Sequence, residues 1–189
     1  MEQAKEREKK VMITDIAVEK VGKAEIPGFS DTQNRRLQQL HRDLLQTAKN
    51  QNDSNEVLKI WNIFTDEVAD TLGSESRVDL SDNPSAVALL RNSKARELVY
   101  LHNHPSTKNF SLSDIDTFVC DSQVGIMTVV TNQGEVYALK KNGRYSFIEA
   151  KNMLTEILKE LHADNNYSHA EVVRKFLKES RKVGIDYVG

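Results

Sequence analysis

Residues 98–116 read LVYLHNHPSTKNFSLSDID. The apolar run from Leu98 to Leu101 has the composition of a buried strand, Pro105 interrupts it, and the serines ahead of Leu112 have the form of a helix start. Along a strand side chains alternate, so His102 and His104 leave one face and Asn103 leaves the other. Two imidazoles on one side of a strand end, joined by a carboxylate from the following helix, supply three ligands to Zn²⁺ and leave its fourth position open for water. Pro105 restricts His104 to extended backbone and helps to hold the pair in register. Asn103, aimed away from the pair, reads as structural.

Downstream of this stretch the pattern predicts a helix over about 111–122, a strand at VGIMTVVT, a turn at Asn132-Gln133-Gly134 and a strand at EVYALKK, the last two strands forming a hairpin. Two amphipathic helices follow at 151–162 and 170–182, marked by Leu154, Ile157 and Leu161 and then by Val172, Val173 and Phe176. Upstream, Asn83-Pro84 opens a helix, Pro suiting the first helical position, and VLKIWNIF from Val57 reads as a strand entered from Glu56. A short strand is expected at 77–80. Ser30 with Gln33 has the capping-box pattern, and Leu37, Leu40, Leu44 and Leu45 carry that helix to the polar break at Asn50. The β-branched run 11–18 (VMITDIAV) predicts a further strand, and residues 1–10 a solvated tail or frayed helix.

Hairpins alternate with helices, without regular βα units, which predicts an α+β (mixed α/β) class: a small mixed β-sheet flanked by helices, with extra C-terminal helices. The chain divides into a tail and strand at 1–29, a central domain at 30–147 and a helical extension packed on it at 148–189. Its 189 residues suit one such domain with appendages. Lys and Arg number 26 against 28 Asp and Glu, a net charge of −2, so no global positive field exists to hold nucleic acid. The letters His-Asn-His therefore do not argue for a nuclease. A single cysteine, Cys120, cannot close an internal disulfide, which favours a reducing compartment. No stretch has signal-peptide form or the roughly 18 apolar residues of a membrane span, so the expected location is cytoplasmic.

HNHP followed by Phe-Ser-x-x-Asp resembles the JAMM signature of the JAB/MPN metalloproteases, particularly their RadC-like bacterial and phage branch. The resemblance covers residues 55–141. It implies one Zn²⁺ held by His102, His104 and an aspartate, a glutamate from an upstream strand that activates water, and a serine that assists at the developing oxyanion. Two registers satisfy the Ser-x-x-Asp element, Ser111 with Asp114 and Ser113 with Asp116, because the loop after His104 departs from the usual length. Ser111 and Asp114 are preferred, since that pair would also cap the helix and bring Asp114 into its first turn. The resemblance places the general base at Glu56; Glu67, Glu75 and Glu97 are the rivals.

What the resemblance implies is a zinc-dependent hydrolase of peptide or isopeptide bonds, with a protein or peptide as substrate. The alternative is a noncatalytic module of a phage or mobile-element assembly that binds a partner through its outer helices. Among the remaining residues, Cys120 beside Phe118 and Val119 is expected to be a small buried hydrophobe, His41, His162 and His169 to lie on the surface, and Trp61 in the core.

Overall fold

Strand β3 (Leu98–His104) has a layer of structure on both of its faces. Leu98 and Tyr100 enter one core and Val99 and Leu101 the other, which is why this segment reads as a continuous apolar run. The computed structural model describes residues 10–74, 78–163 and 167–189. Around β3 lie β1 (Val57–Asn62), β2 (Val68–Leu72), β4 (Val124–Thr131), β5 (Val136–Lys141) and β6 (Ile185–Val188). They form one sheet in the order β2-β1-β3-β4-β5-β6. Only β3 and β4 run parallel among these neighbours; the other pairings are antiparallel. A parallel pair needs a crossover, and helix α4, the segment Leu112–Cys120, supplies it. The chain is thus mixed α+β, as its pattern of elements predicts.

One face of the sheet carries α1 (Asp15–Lys20) and α2 (Asp31–Gln51), whose Leu37, Leu40 and Leu44 pack with Trp61 and Leu101. The other carries α3 (Pro84–Asn92), α4, α5 (Phe147–Ala163) and α6 (His169–Glu179), which bury Leu89, Phe118, Leu154 and Phe176. The expected caps form: Ser30 and Gln33 make a reciprocal capping box, and Asn83, just ahead of Pro84, accepts from the backbone N–H groups of Ser85 and Ala86. No helix among the described residues is long and apolar enough to cross a membrane.

Four expectations are corrected. Residues 11–18 do not form a strand: Thr14 caps α1 by accepting from Ala17 N–H, and Asp15 lies in the first turn, so capping chemistry outweighs β-branched composition. The stretch ahead of Thr14 is irregular and is tied by Val11 N–H to the Pro105 carbonyl (2.7 Å). The second strand is Val68–Leu72, while residues 78–80 are irregular and Arg77 lies outside the described residues. It was hidden because an edge strand with exposed Val68, Asp70 and Leu72 looks like a polar loop. The chain also ends in a strand, β6, after a 3₁₀ turn (Ser180–Val183) that Gly184 closes at φ 77°. A side chain there would strike the Tyr145 backbone.

The fourth correction concerns His41, which is wholly buried under the sheet instead of lying on the surface. Its Nε2 lies 2.8 Å from Thr128 Oγ1, while the Thr128 hydroxyl donates to the Tyr100 carbonyl. A hydroxyl that donates to Tyr100 accepts from His41, so the Nε2 carries the proton and Nδ1 is left as a buried acceptor without a partner. Protonating Nδ1 would bury an unpaired donor. Burial, followed by the electrostatic effect of the nearby His102, accordingly pushes the His41 pKa down to about 3. The unfolded chain takes up this proton below its ordinary value of 6.5 and the folded chain does not, so stability present above that value is lost as pH falls. Chemical denaturation at about pH 7 and about pH 5 should show the wild type losing roughly 2 kcal/mol more than His41→Gln. Equal slopes would contradict the buried neutral imidazole.

Candidate metal centre

The end of β3 presents His102 and His104 side by side on the face that α4 covers. Their Nε2 atoms are 3.2 Å apart, and His102 is 3% exposed. His104 Nδ1 lies 3.2 Å from the Lys108 carbonyl. A carbonyl accepts, so Nδ1 holds the proton and the Nε2 lone pair of the neutral ring is directed at its neighbour. No feature of the sequence announces this contact, because it uses the backbone of a loop residue.

Asp114 completes the group. Ser111 is the N-cap of α4; its Oγ accepts from Asp114 N–H (3.1 Å), and Asp114 Oδ2 accepts from Ser111 N–H (2.6 Å). This capping box fixes the carboxylate in the first turn, where Oδ1 lies 3.3 Å from His102 Nε2 and Oδ2 3.2 Å from His104 Nε2. The cap and the contact with the histidines are therefore one arrangement, not competing explanations of the Ser-x-x-Asp pattern. Asp116 is turned away and pairs with Lys151 at 2.6 Å. The structure thus brings the Ser111–Asp114 register to the histidines.

Glu56 approaches from the strand beside β3. It precedes β1, which pairs with β3 so that Leu58 lies opposite His102. Glu56, His102 and His104 each offer a ligand atom within 4.8 Å of the others and form a group able to hold a metal ion. Its rivals are elsewhere: Glu67 accepts from Thr65, Glu97 accepts from Lys94 N–H at the opposite end of β3, and Glu75 lies outside the described residues.

The two carboxyls are pushed in opposite directions. Burial raises Glu56, the histidines lower it and Asp114 raises it, leaving it above the ordinary carboxylate value. Burial would also raise Asp114, but the charges of both histidines and their hydrogen bonds overcome it and hold Asp114 well below that value. Burial disfavours charge on His104, yet the hydrogen bond and charge of Asp114 outweigh it and raise the imidazole, with Glu56 and the Lys108 carbonyl adding to the rise.

Asn103 leaves the opposite face and is wholly buried, as its place in the alternation predicts. Trp61 is likewise in the core, and His162 and His169 are exposed. Cys120 departs from expectation: it is exposed, with Lys151 Nζ 3.5 Å from its sulfur. Ile115, Phe118 and Val119 occupy the buried side of α4, and the next residue turns outward.

Compared with known family profiles, with curated proteins and with solved structures, the chain finds no match.

Removal of a donor should register directly in metal titration. Wild type should take up one divalent ion, His104→Ala and Asp114→Ala should each lose more than about 100-fold in affinity, beyond the 10–100-fold typical of a supporting contact, and Asp116→Ala should match wild type. Loss of binding in Asp116→Ala with retention in Asp114→Ala would reverse the assignment.

Proposed function

We propose that this chain is a zinc-dependent hydrolase of the JAB/MPN type that cleaves a peptide or isopeptide bond. The observation that carries this reading is the set of separations among His102, His104 and Asp114, all 3.2 to 3.3 Å. Ligand atoms at tetrahedral angles and bonds of about 2.0–2.1 Å stand about 3.3–3.4 Å apart, close to the separation of the two Nε2 atoms and of each from one oxygen of Asp114, which supports an ion shared among these three side chains. Imidazole and carboxylate donors without thiolate also suit zinc in a three-ligand site that keeps a position open. His102, His104 and Asp114 would hold the ion, and Glu56 would stand beside it.

Bound there, zinc supplies Lewis acidity, polarising a carbonyl and lowering the pKa of a coordinated water to about 7. The chain's own groups divide the remaining work. Glu56, its carboxyl raised by burial, takes the proton of the attacking water on a carboxylate oxygen and returns it to the departing amine. Asp114, held ionised, stays a ligand and not a base. Ser111 Oγ serves the helix cap only as an acceptor, so its hydroxyl proton is free to donate to the oxyanion that develops on the substrate carbonyl. The raised Glu56 carboxyl sets the acid limb: the base is lost as pH falls through a value above the ordinary carboxylate range.

Quenched peptide and isopeptide-linked substrates, assayed on the zinc-reconstituted chain with and without chelator, test the activity. Glu56→Gln should keep its zinc and lose about 10²–10⁴-fold in kcat, the usual contribution of a general base. Absence of stoichiometric zinc in the reconstituted wild type would overturn the proposal, and loss of zinc in Glu56→Gln would make that residue a ligand.

A further inference from the structure

The residue between the two histidines does more than fill the opposite core. Asn103 Oδ1 accepts from Val57 N–H at 2.8 Å, and its Nδ2 donates to the Asn55 carbonyl at 3.2 Å. These are the backbone atoms on either side of Glu56, so one side-chain amide brackets the peptide segment that carries the carboxyl. The same Nδ2 donates to Asn132 Oδ1 at 2.8 Å. Asn132 Nδ2 in turn donates to the carbonyls of Ser54 (2.9 Å) and Val11 (2.7 Å), and its backbone N–H to the His104 carbonyl (3.0 Å). Ser54 Oγ accepts from Ile13 N–H.

The segment so held has an uncommon backbone. Asp53 and Ser54 are consecutive non-glycine residues in the left-handed region, at φ 48° and 59°, a conformation that persists only where surrounding contacts impose it. Asn103, Asn132 and Ser54 are each no more than 1% exposed, and their amide groups are matched donor to acceptor. A fully paired buried network specifies one geometry, whereas a partly paired one costs more than apolar packing.

We infer that Asn103 is a positioning residue for the proposed reaction: through the Asn55 and Val57 backbone it fixes Glu56 relative to the histidines that flank Asn103 itself. This rests on the hydrolase reading for the role of Glu56, while the clamp can be tested without it. Because Asn103 touches neither the histidine rings nor Asp114, its loss should displace the base and leave the metal donors in place. Strand β3 therefore carries the ligands on one face and the tether of the base on the other.

Three readouts on Asn103→Ala and Asn103→Thr test this. Amide hydrogen exchange should accelerate by at least about tenfold at residues 54–57 and change little along β3. The visible absorption band and the affinity of bound Co²⁺ should stay within about threefold of wild type, below the 10–100-fold cost of losing a contact to a ligand. With the peptide that wild type hydrolyses, kcat should fall about 10–100-fold at unchanged KM, and adding Asn103→Ala to Glu56→Gln should lower it by no more than about threefold further. Multiplying effects in the double variant, or unchanged exchange at 54–57, would overturn the inference. So would loss of the Co²⁺ band, which would assign Asn103 to the histidines, or failure of both variants to fold by circular dichroism, which would make it a requirement of the fold. A wild type that hydrolyses nothing would sink the hydrolase reading alone, because hydrogen exchange would still decide the clamp.

Discussion

A strand buried on both sides has to give alternate residues to two different environments, and the last three residues of β3 use that constraint fully. His102 and His104 point to the layer containing α4, and Asn103 points to the layer containing α2. Because the residues are consecutive, the distance between the histidine pair and the amide is set by the covalent chain and not by loop packing. Glu56 immediately precedes β1, the strand directly hydrogen-bonded to β3, and Asp114 comes from the helix that follows β3. The histidines belong to β3 itself, Glu56 adjoins a strand paired with it, and Asp114 reaches it from the first turn of the helix that the following loop leads into.

Assembling two imidazoles and two carboxyls in a half-buried cleft costs desolvation energy, and the structure offsets that cost in different ways for each group. Asp114 gains the hydrogen bond from Ser111 N–H, the partial positive charge of the α4 N-terminus and the two imidazoles. His104 gains the Lys108 carbonyl. Among the described residues Glu56 has no comparable support, and burial is the largest influence on it. The helix N-terminus is therefore not incidental: it stabilises the charged form of Asp114.

Much of the site was legible because its elements follow short-range rules. Alternation, the Pro105 break and the Ser111-x-x-Asp114 spacing are local, and each corresponds to an observed contact. Glu56 was placed by family resemblance alone, since nothing within β1 marks an acidic residue that will meet a strand 46 positions away through Val57 and Asn103. The misreadings have the same origin. β6 and β2 exist because a neighbouring strand offers an edge, which composition does not record. His41 occupies a helical position that pattern assigned to the surface, yet α2 is covered by the sheet there and Thr128 supplies its partner. Residues 11–18 failed for the opposite reason: two residues of capping chemistry decided the outcome against six of strand-like composition.

The opposite displacement of the two carboxyls is the strongest physical reason to give them different roles. Carboxyls of similar intrinsic acidity are driven apart when one receives hydrogen bonds and positive charge and the other mainly loses water. Asp114 receives both histidines, so adding a cation at their shared edge reinforces the charge it already bears. Glu56 offers an oxygen within 4.8 Å of both imidazoles, and the backbone on either side of it is held through Asn103. A base must exchange its proton during turnover, whereas a ligand must not, and a rigid tether that leaves the carboxyl itself free of strong partners serves the first requirement. The amide on the far face of β3 fits that requirement, bonding the main chain on either side of Glu56 and not its carboxyl.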